Sequence, residues 1–138
     1  MDTADKLDIA EVLAEAALGL DMKDLSVLER CFTPGATFVL VIEGVDEASV
    51  FEGREAILGL FKGALDAQTD ERKHVISNVI FRNGAADTAT VLSYLTLFAT
   101  ENGVTQLITT GLYTDDLQKQ ADGRWLITKR DLKLDRPY

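Results

Sequence analysis

Three dipeptides, Asn83-Gly84, Asn102-Gly103 and Asp122-Gly123, punctuate the second half of the chain. Asn-Gly and Asp-Gly reach the positive φ angles that tight hairpins demand, and Asn83-Gly84 is the strongest short hairpin signal in this sequence. Around these dipeptides the stretches 73–82, 86–100, 104–119 and 124–135 are rich in β-branched and aromatic residues and read as strands. Hairpin-linked strands pair with their neighbours, so a meander of four long strands is expected.

The first half has the other periodicity. Ile9, Val12, Leu13, Ala16, Ala17 and Leu20 recur at the helical interval, with Asp5, Asp8, Glu11 and Glu15 assigned to the wet side and Asp5 to the N-cap. Asp21 follows the last apolar position. Asp24 then caps a short second helix with Leu25, Leu28 and Phe32 on one face, stopped by Thr33-Pro34-Gly35. A β-prone run at 38–42 precedes a segment of loop character at 43–52. Gly53 opens a third helix with Ile57, Leu58, Phe61, Ala64 and Leu65 as its apolar face, and an acidic linker at 66–71 leads to the strands. Helices first and antiparallel strands afterwards imply an α+β domain, three N-terminal helices packed on a strongly curved antiparallel sheet. Such a sheet encloses a conical cavity, a favourable place for a small molecule.

At 138 residues the chain has room for one domain, expected to span 1–138. Its 14 Lys and Arg against 23 Asp and Glu leave a formal net charge of −9, which argues against nucleic acid and anionic membrane surfaces as partners. No window approaches the ~18 apolar residues needed to span a bilayer, and Met1 to Asp5 is acidic where a signal peptide would be basic. A cytoplasmic location is the expectation. With one cysteine, Cys31, and one histidine, His74, neither an internal disulfide nor a Cys/His zinc cluster can form, so chemistry without metal or cofactor is expected. The acidic cluster Asp115-Asp116 with Asp122 lacks the spacing of a calcium loop and reads as a solvated turn.

Several local motifs occur in an order that resembles the SnoaL-like branch of the NTF2-like superfamily, whose fold is a conical α+β barrel. They are Leu20-Asp21 followed by Asp24-Leu25, Phe32-Thr33-Pro34-Gly35-Ala36-Thr37, Phe51-Glu52-Gly53-Arg54-Glu55-Ala56-Ile57, Lys73-His74-Val75-Ile76-Ser77-Asn78, Gly111-Leu112-Tyr113, and Asp122-Gly123-Arg124-Trp125-Leu126-Ile127. Dehydration, dehydrohalogenation, isomerisation, polyketide cyclisation and plain ligand binding all occur on this fold. The resemblance to the scytalone dehydratase-like and dehydrochlorinase-like subgroup implies an Asp at the end of the first helix paired with a His after the third, positions held here by Asp21 and His74. Scytalone dehydratase also uses a tyrosine before that Asp and a second histidine; here the first position is Leu20 and no second histidine exists. Ketosteroid isomerase-like members carry a carboxylate on the first strand, and 38–42 contains none.

Histidine titrates at ~6.5 when unperturbed, near working conditions, and a carboxylate beside it fixes the tautomer and stabilises the imidazolium once a proton is taken. The dyad would therefore serve a cofactor-independent lyase or isomerase, of dehydratase, dehydrohalogenase or cyclase type, acting on a small apolar or aromatic molecule. Tyr94 and Tyr113, backed by Asn78 and Arg130, are candidates for substrate binding and for stabilising developing negative charge. Strand alternation puts His74, Ile76 and Asn78 on one face. Each residue has a plainer reading: His74 an ordinary strand histidine, Asp21 a wet helix end, the tyrosines sheet core or interface, Trp125 a core anchor, Cys31 an inert core thiol. The alternative function is a non-catalytic ligand-binding domain or accessory subunit, as ring-hydroxylating dioxygenase small subunits share the fold. A homodimer through the outer face of the sheet is expected, with a small hydrophobic or aromatic ligand as the other partner.

Overall fold

The helical stripe at the start of the chain forms α1, Thr3–Asp21, in a computed structural model that describes residues 1–138. Ile9, Leu13, Ala16 and Ala17 are its buried face. The N-cap is Asp2 and not Asp5. Asp5 lies at the third helical position, where its carboxylate accepts from the Asp2 N–H at 3.1 Å and the Asp2 carboxylate accepts from the Asp5 N–H at 2.9 Å. This reciprocal arrangement satisfies two orphan donors of the first turn. Asp5 is also not on the wet side: Trp125 Nε1 and Lys119 Nζ donate to its Oδ1 at 3.0 and 3.1 Å. Its carboxyl is held far below the usual range, first by the Asp2 N–H and then by Trp125 and Lys119. Trp125, 1% exposed, is thereby both a core anchor and a tie between strand and helix.

Asp24 caps α2, Leu25–Glu29, as expected, accepting from the N–H groups of Ser26 and Val27. Phe32 does not share its face. The helix stops earlier and Phe32 begins β1, Phe32–Ile42, because the extended backbone there pairs with the last strand. Part of the expected loop is also a strand, β2, Ser49–Glu52, antiparallel to β1 through Phe38 opposite Phe51. Gly53, at φ +90°, enters α3, Arg54–Ala67, and donates its N–H to Ala36 O at 2.8 Å.

The meander follows as β3, Glu71–Gly84, β4, Thr88–Glu101, β5, Val104–Lys119, and β6, Trp125–Leu134. Asn102 and Gly103, at φ +52° and +78°, turn the middle hairpin. The first hairpin reverses later than Asn83-Gly84: Asn83 and Gly84 still pair with Thr90 and Ala89, and Ala85 N–H closes the turn on Thr88 O. The six strands lie in the order β2-β1-β6-β5-β4-β3 and do not close into a barrel. Neighbours are antiparallel except β1 and β6, which run parallel because β1 joins the sheet from the helical half of the chain. Three helices cover the inner face, and the core lies between them and the sheet. No helix is long and apolar enough to cross a membrane.

Candidate active site

Asp21 is carried to its place by the way α1 ends. Gly19 lies against α2 so closely that an added Cβ would stand 2.9 Å from Leu28 Cγ, and Leu28 is fully buried. Lys23 takes a left-handed φ of +55°, and the Asp24 N–H closes back on Gly19 O at 2.9 Å. The chain reverses within three residues, and Asp21 is left facing β3.

There it meets His74. The His74 backbone N–H donates to Asp21 Oδ1 at 2.9 Å, and Nδ1 lies 2.7 Å from the same oxygen. A carboxylate oxygen can only accept, so Nδ1 is the donor in this contact, and in the neutral imidazole the free lone pair is then on Nε2. The two side chains are 14% and 13% exposed, screened from bulk solvent without being sealed.

His74 borders an apolar cavity of about 90 Å³ between α3 and the inner face of the sheet. Leu60, Phe61 and Leu65 of α3 form one wall; Leu95, Leu97 and Leu132 of the sheet form the other. Strand alternation aims Tyr113 and Arg130 at the same space. Arg130 is 2% exposed and stacks 4.0 Å above the Tyr113 ring. Burial raises the Tyr113 hydroxyl above its ordinary pKa, against the opposing pull of Arg130. Gln68, Arg72 and the half-exposed Tyr138 line the wetter end.

Two candidates lie elsewhere. Tyr94 is 53% exposed on the outer face, paired with Leu112. Asn78 is exposed at φ +54°, in a bulge between Ser77 and Ile80 that breaks the alternation linking it to His74. Neither lines the cavity.

Asp115 is a residue that sequence reasoning misplaced. It is no solvated turn: it is 0% exposed on the inner face of β5, opposite Arg130. Arg130 Nε and Nη2 donate to its two carboxylate oxygens at 2.7 and 3.1 Å. Burial pushes the Asp115 carboxyl up while the Arg130 charge pulls it down; burial likewise opposes the Arg130 charge, but Asp115 keeps the guanidinium protonated. The signal was present as Tyr113, Asp115 and Leu117 at the two-residue interval of one strand face. Cys31 is buried, and burial pushes its thiol up to about 11, an inert core sulfur at neutral pH.

Helices on one face of an open sheet, with a cavity between them, also occur in known proteins. The model of the SnoaL-like domain matches residues 1–131. The chain belongs to the SnoaL-like domain family. A protein of unknown function with a cystatin-like fold from Nostoc punctiforme is 26% identical, with a TM-score of 0.81 over 98% of this chain and 94% of that one. An NTF2-like protein with a cystatin-like fold from Novosphingobium aromaticivorans is 20% identical, TM-score 0.76, over 95% and 82% of the two chains. A third structure, from the same organism and provisionally described as the beta subunit of an aromatic-ring-hydroxylating dioxygenase, is 19% identical, TM-score 0.81, over 98% and 91%. No curated protein matches by sequence. The SnoaL-like domain here thus has the NTF2-like fold, a family that the opening motifs already resembled.

Proposed function

We propose that this SnoaL-like domain is a cofactor-independent lyase or isomerase acting on a small apolar or aromatic molecule, with His74 as general base and Asp21 as the group that orients it. The observation that supports this most is the 2.7 Å contact between His74 Nδ1 and Asp21 Oδ1 at the wall of an apolar cavity. In the proposed step Nε2 takes a proton from a carbon acidified by a neighbouring group. The electron pair left behind forms a double bond. In an elimination the leaving group departs with its own electron pair from the adjacent carbon; in an isomerisation the imidazolium returns the proton elsewhere on the allylic system. Asp21 stabilises the imidazolium meanwhile, and a base so held contributes roughly 10²- to 10⁴-fold to a rate. Tyr113 and Arg130 face the same space and would donate to an oxygen on which charge develops.

The test is a thermal-shift screen of small cyclic ketones, alcohols and halides, with turnover of every hit measured for wild type and His74→Ala. Loss of turnover with binding retained supports the base. Equal turnover by both proteins rejects it. Hits that bind and never turn over favour the second reading, a ligand-binding domain or accessory subunit, to which the apolar lining alone is suited.

We also propose a homodimer through the outer face of the sheet, where Val75, Tyr94 and Leu112 are exposed side by side on β3, β4 and β5. Light scattering of wild type and Tyr94→Asp reads it directly. A monomeric wild type would reject it.

A further inference from the structure

The cavity is smaller than its proposed use requires. Its volume is about 90 Å³, whereas a dry cavity that accepts benzene measures roughly 150 Å³. An aromatic ligand enters only if some lining group gives way. The inner lining cannot do so cheaply: Tyr113 and Arg130 are 3% and 2% exposed, and Arg130 is fastened to Asp115 by two hydrogen bonds. At the wetter end Arg72 is held as well, with Nε and Nη2 donating to Asp70 at 2.9 and 3.5 Å and Gln68 Nε2 donating to Asp70 O at 2.8 Å.

Among the aromatic and polar lining groups Tyr138 is the least held. It lines the cavity, is 50% exposed, and its ring is held by the Arg72 guanidinium 5.9 Å from its centroid. Such a contact at an accessible site is weak. The backbone leading to it is fixed. Thr109, 1% exposed, donates its hydroxyl to Arg136 O at 2.8 Å, and the Asp135 N–H donates to Thr110 O at 2.9 Å. Pro137 stiffens the single residue between that anchor and the ring. A fixed stem carrying a weakly held aromatic ring is the form of a cap.

We propose that Tyr138, latched on Arg72, caps the cavity and sets the size of ligand it accepts, which makes these two residues determinants of specificity. The proposal rests on the reading of the cavity as the ligand site. Phenol and 1-naphthol serve as one-ring and two-ring probes, with affinities measured by calorimetry on the full chain. Tyr138→Ala raises the naphthol-to-phenol affinity ratio about tenfold, Arg72→Met raises it about threefold by unlatching the ring, and Tyr138→Phe leaves it unchanged. Naphthol binding seen only after Tyr138→Ala supports the cap equally. A ratio in Tyr138→Ala within twofold of wild type, with both probes bound, overturns the cap and leaves the cavity reading standing. No binding of either probe to any variant overturns both.

Discussion

Two acid–base pairs stand beside the same cavity, each with its basic member in the lining, and they are built in opposite ways. Asp115 and Arg130, with side chains 0% and 3% exposed, satisfy each other through a two-point contact between adjacent strands. Asp21 and His74 come from a helix end and a strand 53 positions apart; one oxygen holds both nitrogens of the histidine that face it, and Nε2 is left over. The first pair is closed and its charges cancel, so its contribution is mainly to placement: it fixes the guanidinium over Tyr113. In its neutral form the second pair leaves the Nε2 lone pair unused, on a residue that lines apolar space. Burial alone does not distinguish structural from chemical polar groups; the capacity left unspent does.

The contrast makes predictions that differ in kind as well as in size. His74→Ala should reduce turnover of any substrate found in the screen by roughly 10²- to 10⁴-fold. Its denaturant midpoint should shift little, which unfolding curves beside the turnover assay would establish. Asp115→Ala should act chiefly on stability, costing about 3–5 kcal/mol in urea unfolding because the Arg130 charge is stranded in the core, with turnover falling only as far as Arg130 leaves its place. Replacing both partners, Asp115→Leu with Arg130→Met, should recover most of that loss. If Asp115→Ala abolished turnover at unchanged stability, the closed pair would be the chemical one and the contrast would be inverted.

Gly19→Ala probes how Asp21 is delivered. The new methyl must displace the buried Leu28, at a cost of about 1–2 kcal/mol even after the helix gains from alanine. Turnover should fall along with stability, whereas Gly59→Ala, on α3 with open space around it, should leave turnover alone.

The smallest expected effect concerns Asp5, a third carboxylate and, like Asp115, one whose capacity is spent on protein donors. Its folded pKa lies below its unfolded value of 3.8, so its contribution to stability is fully present above that value and is lost as pH falls through it toward the folded one. Unfolding free energies of wild type and Asp5→Asn between pH 6 and pH 2.5 should converge at the acid end. Parallel curves would show that these donors leave the Asp5 carboxyl no more acidic in the folded chain than in the unfolded one.

Where the sequence misled, the failures share a cause. Asn78 was placed beside His74 because alternation is reliable only until a bulge, and the bulge between Ser77 and Ile80 depends on how β3 pairs with β4. Tyr94 and Tyr113 look alike in sequence, yet one is half exposed and the other buried, since which strand face is inner depends on where the helices pack. Asp115 read as solvent-facing because its partner, Arg130, is 15 residues away across a hairpin. Phe32 and the segment of β2 are strands through pairing with β6 and β1, partners that the residues beside them do not announce.

The sequence by itself determined most of the elements and their order: a helical period in the first half, dipeptides that permit positive φ between long β-prone runs in the second, and the count of one histidine through which imidazole chemistry must pass. Its motifs also resembled the family to which the chain belongs. Those are local properties, set by side-chain spacing and backbone preference within a few residues. Only the tertiary structure decided that Asp21 meets His74, that Asp115 closes on Arg130, and that Tyr138 lines the cavity. Such contacts join residues distant along the chain, and their geometry follows from the packing of three helices against a curved sheet, which no short stretch of sequence encodes.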